Sequence, residues 1–460
     1  MLQDLLTVHK QSFKDHTELR AQVNAYQRVI MQSGNIVTNN QESASGISAR
    51  VYKGGTYGFA SGATYTHEGV KNVLSAATDN AIFMDANITK GKPPLPAVKP
   101  GKQGLVRLPG PPIPQSVLIN YLQELDAIIL KNYKNLSSRQ VIVSCVDIEK
   151  LLVVSDGTDS HSYQPTSFVY VFMSAETSDG VPVELYRPIG TIGRFNELFT
   201  DPALLTPKLD KLYESLMKKR EGVYAKAGLN KCILGVEMAG MLAHEAIGHT
   251  VEADGVLSGS VAAHNLNKQV ASELISMVDY AHTALGEPCM LPIYVDEEGV
   301  QAEDAVLIEN GILKGFMHNR ETAQHFGVAP QGNARAFEFS DEPLIRMRNT
   351  AILPGTSKLE DMIASIDDGY YLLTSGNGQA DHTGEFMFSV NEGYEVKNGK
   401  IGKAIRESTI SGVAFEMLKT VDMVSDDMFW ECAGYCGKKQ AMTTSNGGPA
   451  LRCDINLGGR

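Results

Sequence analysis

The run His244-Glu245-Ala246-Ile247-Gly248-His249 constrains this chain more than any other feature. It sits in VEMAGMLAHEAIGHTVEAD, where Met238, Met241, Leu242, Ala246 and Ile247 supply the apolar surface of a buried helix. Such a helix carries two imidazoles and a carboxylate into the interior. The familiar metallopeptidase motif spaces its histidines by four positions, whereas these lie five apart. At about 100° per residue, four steps bring the second ring back to within about 40° of the first, but five leave it about 140° away. A regular helix cannot chelate with both. The spacing therefore predicts a π-bulge, a kink or an early helix end near Gly248, where glycine tolerates an irregular backbone.

Two imidazoles leave two positions on a tetrahedral zinc, and a catalytic site fills one from the protein and one with water. Glu245, beside the first imidazole, is placed to take a proton from that water as general base rather than to bind metal. Glu252 and Asp254 are candidates to orient the imidazoles from behind; exposed acids of a loop are the alternative. Cys432, Cys436 and Cys453 each qualify as the third ligand, or as small buried hydrophobes. Six cysteines in 460 residues are too sparse for a disulfide framework and point to a reducing, cytoplasmic setting. Nickel, cobalt or iron would fit the same atoms as zinc.

Elsewhere the periodicity predicts an α+β fold in two domains, 1–228 and 229–460. The first holds helices and a mixed sheet; the second is mainly antiparallel β and carries the metal helix. Apolar positions predict a helix from Gln3 to about Met31, interrupted by Gly34 and TNNQESASG, then a hairpin around Gly54-Gly55 and a helix over 68–81. Eight of nineteen prolines fall in 93–114, which is read as an extended connector. Helices follow at 116–135 and 201–221, flanking β-branched runs that read as strands of one sheet. Asn310-Gly311 and Asn398-Gly399 each mark a tight hairpin, and the two hairpins are candidates for a single sheet.

The net charge of −12 argues against binding nucleic acid, since phosphate neutralisation needs a basic surface. No window approaches the roughly 18 apolar residues of a membrane span, and the N-terminus lacks a signal-peptide core. The reading is therefore a protein with no membrane association. Asn333 and Arg335 of GNARA, and Arg348 and Asn349 of RMRNT, are candidates to hold a peptide's backbone or carboxylate; salt bridges and turn caps are the alternative.

HEAIGHTVEAD, VDEEG, VLIENGILKGF, GNARA, RMRNTAILPG, SGNGQAD, YCGKKQ and GGPALR, in this order, resemble the TldD/PmbA family of metallopeptidases from about Gly235 onward. The motif itself resembles the active TldD type. The resemblance implies one zinc held by His244, His249 and Cys436, with Glu245 as base, and leaves Cys432 and Cys453 as bystanders. AMTTSN after the cysteine departs from the family's glycine-rich, proline-containing segment, which bears on pocket specificity. The resemblance further implies small or unfolded peptides as substrates, and a TldE/PmbA-type partner subunit or a homodimer. Three alternatives stand beside this reading: a structural zinc in a non-catalytic scaffold subunit, with Cys432 or Cys453 as fourth ligand; association with nucleic acid, as the family's older description as a DNA gyrase modulator suggests; and hydrolysis of an amide that is not a peptide bond.

Overall fold

The computed structural model describes residues 2–87 and 94–459. Pro93, the expected start of the proline-rich connector, lies outside them. In chain order the first half runs α1 (Leu2–Thr7), β1 (His16–Gln32), β2 (Asn35–Lys53), β3 (Thr56–Gly62), α2 (His67–Asn87), β4 (Lys102–Gln103) and α3 (Gln115–Asn132). It continues through β5 (Ser138–Val154), β6 (Asp159–Glu176), β7 (Pro182–Ile192), α4 (Phe195–Leu198) and α5 (Thr206–Arg220). Among the described residues its strands form one seven-stranded sheet, order β3-β2-β1-β5-β6-β4, with β7 also paired to β6. All pairings are antiparallel except β4 with β6.

The helix expected from Gln3 to Met31 is instead a short helix and a long strand. Along β1 the pattern has period two. Leu19 and Ala21 pack with Val70 and Ala77 of α2 in one core. Glu18, Arg20, Gln22 and Asn24 point the other way and are nonetheless buried. The second half of the chain covers them: Arg20 donates to the carbonyls of Glu338, Phe339 and Asp341, and Gln22 and Asn24 to that of Phe337. The turn lies at Ser33-Gly34, both at positive φ, and the polar run after it belongs to β2. The glycine hairpin at 54–55 and the helices near 68, 116 and 206 form as expected, while 94–114 stays extended apart from β4.

The second half opens with β8 (Gly228–Leu234) and α6 (Val236–Leu242). One sheet takes β8 between Asp368–Ala380 and Leu451–Gly458, then Ser408–Val413, Glu385–Lys397 and Lys400–Ala404. A six-stranded sheet runs from Ile312–Leu313 through Ala305–Glu309, Met277–Tyr280, Asn349–Ile352 and Ser445–Gly448 to Phe429–Glu431. Asn310-Gly311 and Asn398-Gly399 turn tight hairpins at positive φ, but in different sheets, because each hairpin pairs with its own neighbours. α6 packs against strands of both sheets, with Met238, Leu242, Ala246 and Ile247 fully buried. Each such Leu or Ile contributes roughly 1.5–3 kcal/mol, so the element bearing the motif is anchored on its apolar side. No helix among the described residues is long and apolar enough to cross a membrane.

Candidate metal centre

After Leu242, α6 widens into a π-helical turn over Ala243–Gly248, followed by a 3-10 turn over His249–Val251. A π turn closes hydrogen bonds from i to i+5, so it brings the fifth residue back over the first. This is the irregularity the histidine spacing requires. Gly248 serves it for a different reason from the expected one. Its backbone is ordinary right-handed helix, at φ −53°, but a Cβ there would meet Met347 Sδ at 2.1 Å. Close approach, rather than backbone freedom, favours glycine, since a larger residue would have to displace the Met347 side chain.

The two imidazole rings stand 5.2 Å apart at 82°, and Cys436 closes the group. One ligand atom from each of His244, His249 and Cys436 lies within 4.8 Å of the others. Cys436 Sγ is 3.3 Å from His249 Nε2, close to the roughly 3.6 Å expected of a thiolate and an imidazole sharing a tetrahedral zinc. Among the described residues, no fourth His, Cys, Asp or Glu joins this cluster. Burial opposes ionisation of the Cys436 thiol, but hydrogen bonds and charge from His244 and His249 outweigh it and bring it down to about 3. His249 is likewise buried, yet its bonds to Cys436 and Glu252 push it up to about 10. Burial sends the Cys432 thiol up to about 11 and that of Cys453 to about 12. Cys453 lies opposite Cys232 in the sheet pairing with β8. Of the three C-terminal cysteines, Cys436 is thus the one presented as a thiolate beside both imidazoles.

Glu245 leans between the rings, with Oε1 3.9 Å from His244 Nε2 and Oε2 3.8 Å from His249 Nε2. At 27% exposure its carboxylate is open to solvent. Behind the rings, Glu252 is buried and accepts from His249 Nδ1 at 3.0 Å. Asp254 touches no imidazole; it takes Lys438 Nζ at 2.7 Å, and the same ammonium lies 3.2 Å from Glu252. His244 Nδ1 is buried without a hydrogen-bond partner, an orphaned polar atom in the wall of the cluster. Two imidazoles, one thiolate and an adjacent unbound carboxylate make a donor set that fits a transition metal with a position left open.

The structure draws the proposed peptide-holding residues inward. Arg348 pairs with Asp279 at 2.8 Å with neither side chain exposed, and Asn333 donates to the same carboxylate at 2.8 Å. Asn349 spends its amide on the carbonyls of Tyr280, Ala281 and Leu291. Arg335 donates to the carbonyls of Met347 and Thr443, and borders a cavity of 190 Å³. A buried charge such as Asp279 must be compensated, and these donors compensate it or tie strands together. Sequence reasoning passed over Arg346 and Lys438, although both lie in runs it singled out, RMRNT and YCGKKQ.

Residues 228–459 match the family model described as the PmbA/TldA metallopeptidase C-terminal domain, and 17–81 match its domain 1. A zinc metalloprotease TldD homolog of Saccharolobus solfataricus is 34% identical over 310 residues, 67% of this chain and 66% of that protein. A metalloprotease of Methanothermobacter thermautotrophicus is 29% identical over 447 residues, 95% of this chain and 94% of that one. A putative modulator of a DNA gyrase from Thermotoga maritima has the same fold at TM-score 0.77 and 18% identity, covering 99% of each chain. TldE from Thermococcus kodakarensis superposes at TM-score 0.73 and 19% identity, covering 98% of this chain and 100% of its own.

Proposed function

Because the chain belongs to the PmbA/TldA metallopeptidase family, we propose that it is a zinc-dependent peptidase acting on small or unfolded peptides, with Glu245 as general base. The observation that carries this reading is the convergence of His244, His249 and Cys436 with an unbound, solvent-open carboxylate within 4 Å of both imidazoles. Zinc, when bound by these three residues, supplies Lewis acidity that lowers the pKa of a water to about 7 and polarises a carbonyl oxygen. Glu245 takes the proton of the attacking water and returns it to the departing amine nitrogen as the C–N bond breaks. Glu252 accepts a hydrogen bond from His249 Nδ1–H, which fixes the tautomer with Nε2 free to ligate.

Space for a peptide borders the strand that carries Cys436, although none of His244, Glu245, His249 or Cys436 lines it. A cavity of 530 Å³ between the N-terminal sheet and the second half is lined by Tyr170, Phe172, Tyr186, Asn377, Asn391 and Tyr435, the last adjacent to Cys436. That volume falls in the range of about 300–1,000 Å³ usual for ligand sites. The acidic net charge favours this reading over one involving nucleic acid.

The test is cleavage of a mixed pool of unfolded peptides, with fragments read by mass spectrometry, comparing wild type with Glu245→Ala. Loss of general base catalysis is expected to lower cleavage by about 10²–10⁴-fold. Equal cleavage by both proteins would remove Glu245 from the mechanism. Cleavage by neither, with metal in both, would favour the structural reading of the metal.

A further inference from the structure

The cysteine that completes the metal centre stands on a segment with little regular structure of its own. Residues 437–441 follow the two-residue strand Tyr435–Cys436; Gly437 is exposed with open space about it, and Lys439 sits at φ 57°. Two cations nevertheless hold this segment at several points, Arg346 from outside it and Lys438 from within. Arg346 is fully buried, and its guanidinium donates to the carbonyls of Cys436 at 2.7 Å, Lys438 at 3.1 Å and Gln440 at 2.8 Å. Lys438 Nζ reaches the other way, to Glu252 at 3.2 Å, to Asp254 at 2.7 Å and to the carbonyl of Ile345 at 3.1 Å. Glu252 Oε2 is the same oxygen that accepts from His249 Nδ1.

We infer that Lys438 and Arg346 are positioning residues that lock the Cys436 segment against the His249 imidazole, and so set how tightly the site holds a divalent transition metal. The chemistry is direct. Lys438 binds the carboxylate that orients one ligand and lies two residues beyond another, so one ammonium couples the thiolate's backbone to the imidazole's acceptor. Arg346 spends its hydrogen bonds on three carbonyls of one short segment, which fixes where Cys436 Sγ can point. Outer groups of this kind typically alter metal affinity by about 10–100-fold when removed. The inference rests on the metal-centre reading given above.

Cobalt(II) titration of full-length protein freed of metal tests it, read through the thiolate-to-cobalt absorption band. Lys438→Met is the informative variant, because Lys438 is partly exposed and Glu252 keeps His249 Nδ1 as a partner without it. It should bind cobalt about 10–100-fold more weakly than wild type and show the same band at saturation. Lys438→Arg should recover part of the affinity. Wild-type affinity in Lys438→Met, or no recovery in Lys438→Arg, would overturn the positioning role. A wild type that gives no cobalt–thiolate band would instead overturn the metal-centre reading itself.

Discussion

His318 shows how a single buried side chain writes pH into the stability of this protein. Burial between Phe316 and Phe326 pushes its pKa down to about 4, since a charged ring there would lose its water. A depressed value means that the neutral ring is the folded form. Its stability contribution is fully present above the ordinary value of 6.5 and is lost as pH falls through 4. Between those limits the loss amounts to roughly 3 kcal/mol, at 1.36 kcal/mol per unit. Urea unfolding at pH 7 and pH 4.5 should show a smaller acid-induced loss in His318→Gln than in wild type; equal losses would mean that another group carries the effect. The candidate pair His244 and His249, with Glu245 between them, was legible at this scale because a metal site needs particular residue types at particular spacings, whereas the choice of Cys436 over Cys432 and Cys453 rested on the family resemblance. A structural role for Arg348 and Asn349, as salt bridge or turn cap, was also open in the sequence; the partner was not, because nothing in RMRNT announces that Asp279 will be buried beside it.

Among the elements, the π turn is the clearest case of sequence dictating shape. Five-residue spacing and a demand for convergence leave few backbone solutions, and the chain adopts one of them over Ala243–Gly248. Gly248→Ala should destabilise the protein by about 1–3 kcal/mol through overpacking against Met347. In a Met347→Ala background, itself less stable because that side chain is buried, the added cost of Gly248→Ala should be smaller, read as a double-mutant cycle in thermal melts. An undiminished cost would mean that it lies in the turn itself. The N-terminal strand was misread for an equally physical reason. Leu19, Ala21 and Val23 alternate with Glu18, Arg20, Gln22 and Asn24 at the period of a strand, but a one-sided strand would leave those polar residues in water, and their burial depends on carbonyls of residues 337–341 far along the chain. Hairpins fared better, because Asn-Gly turns are specified locally, although the sheet each one joins is not.

Across the whole molecule, the two halves meet through buried charge. Arg50 pairs with Glu18 at 2.9 Å and with Glu298, and stacks over Tyr57 at 3.7 Å. Lys150 reaches Glu297, and Arg320 pairs with Asp156 at 2.7 Å. VDEEG, noticed first as one motif among several, thus supplies much of this joint. The centre has the same long-range character: its histidines lie at one end of α6, and its thiolate comes from a segment nearly two hundred residues later. A metal that binds the folded arrangement alone stabilises it by mass action, so chelation should lower the melting temperature reversibly. The most direct test is metal stoichiometry by plasma mass spectrometry on wild type, Glu245→Ala and Cys436→Ser, each purified without added metal. The account predicts about one zinc per chain in the first two and a marked loss in the third. Wild type without metal, or Cys436→Ser with its full complement, would contradict it.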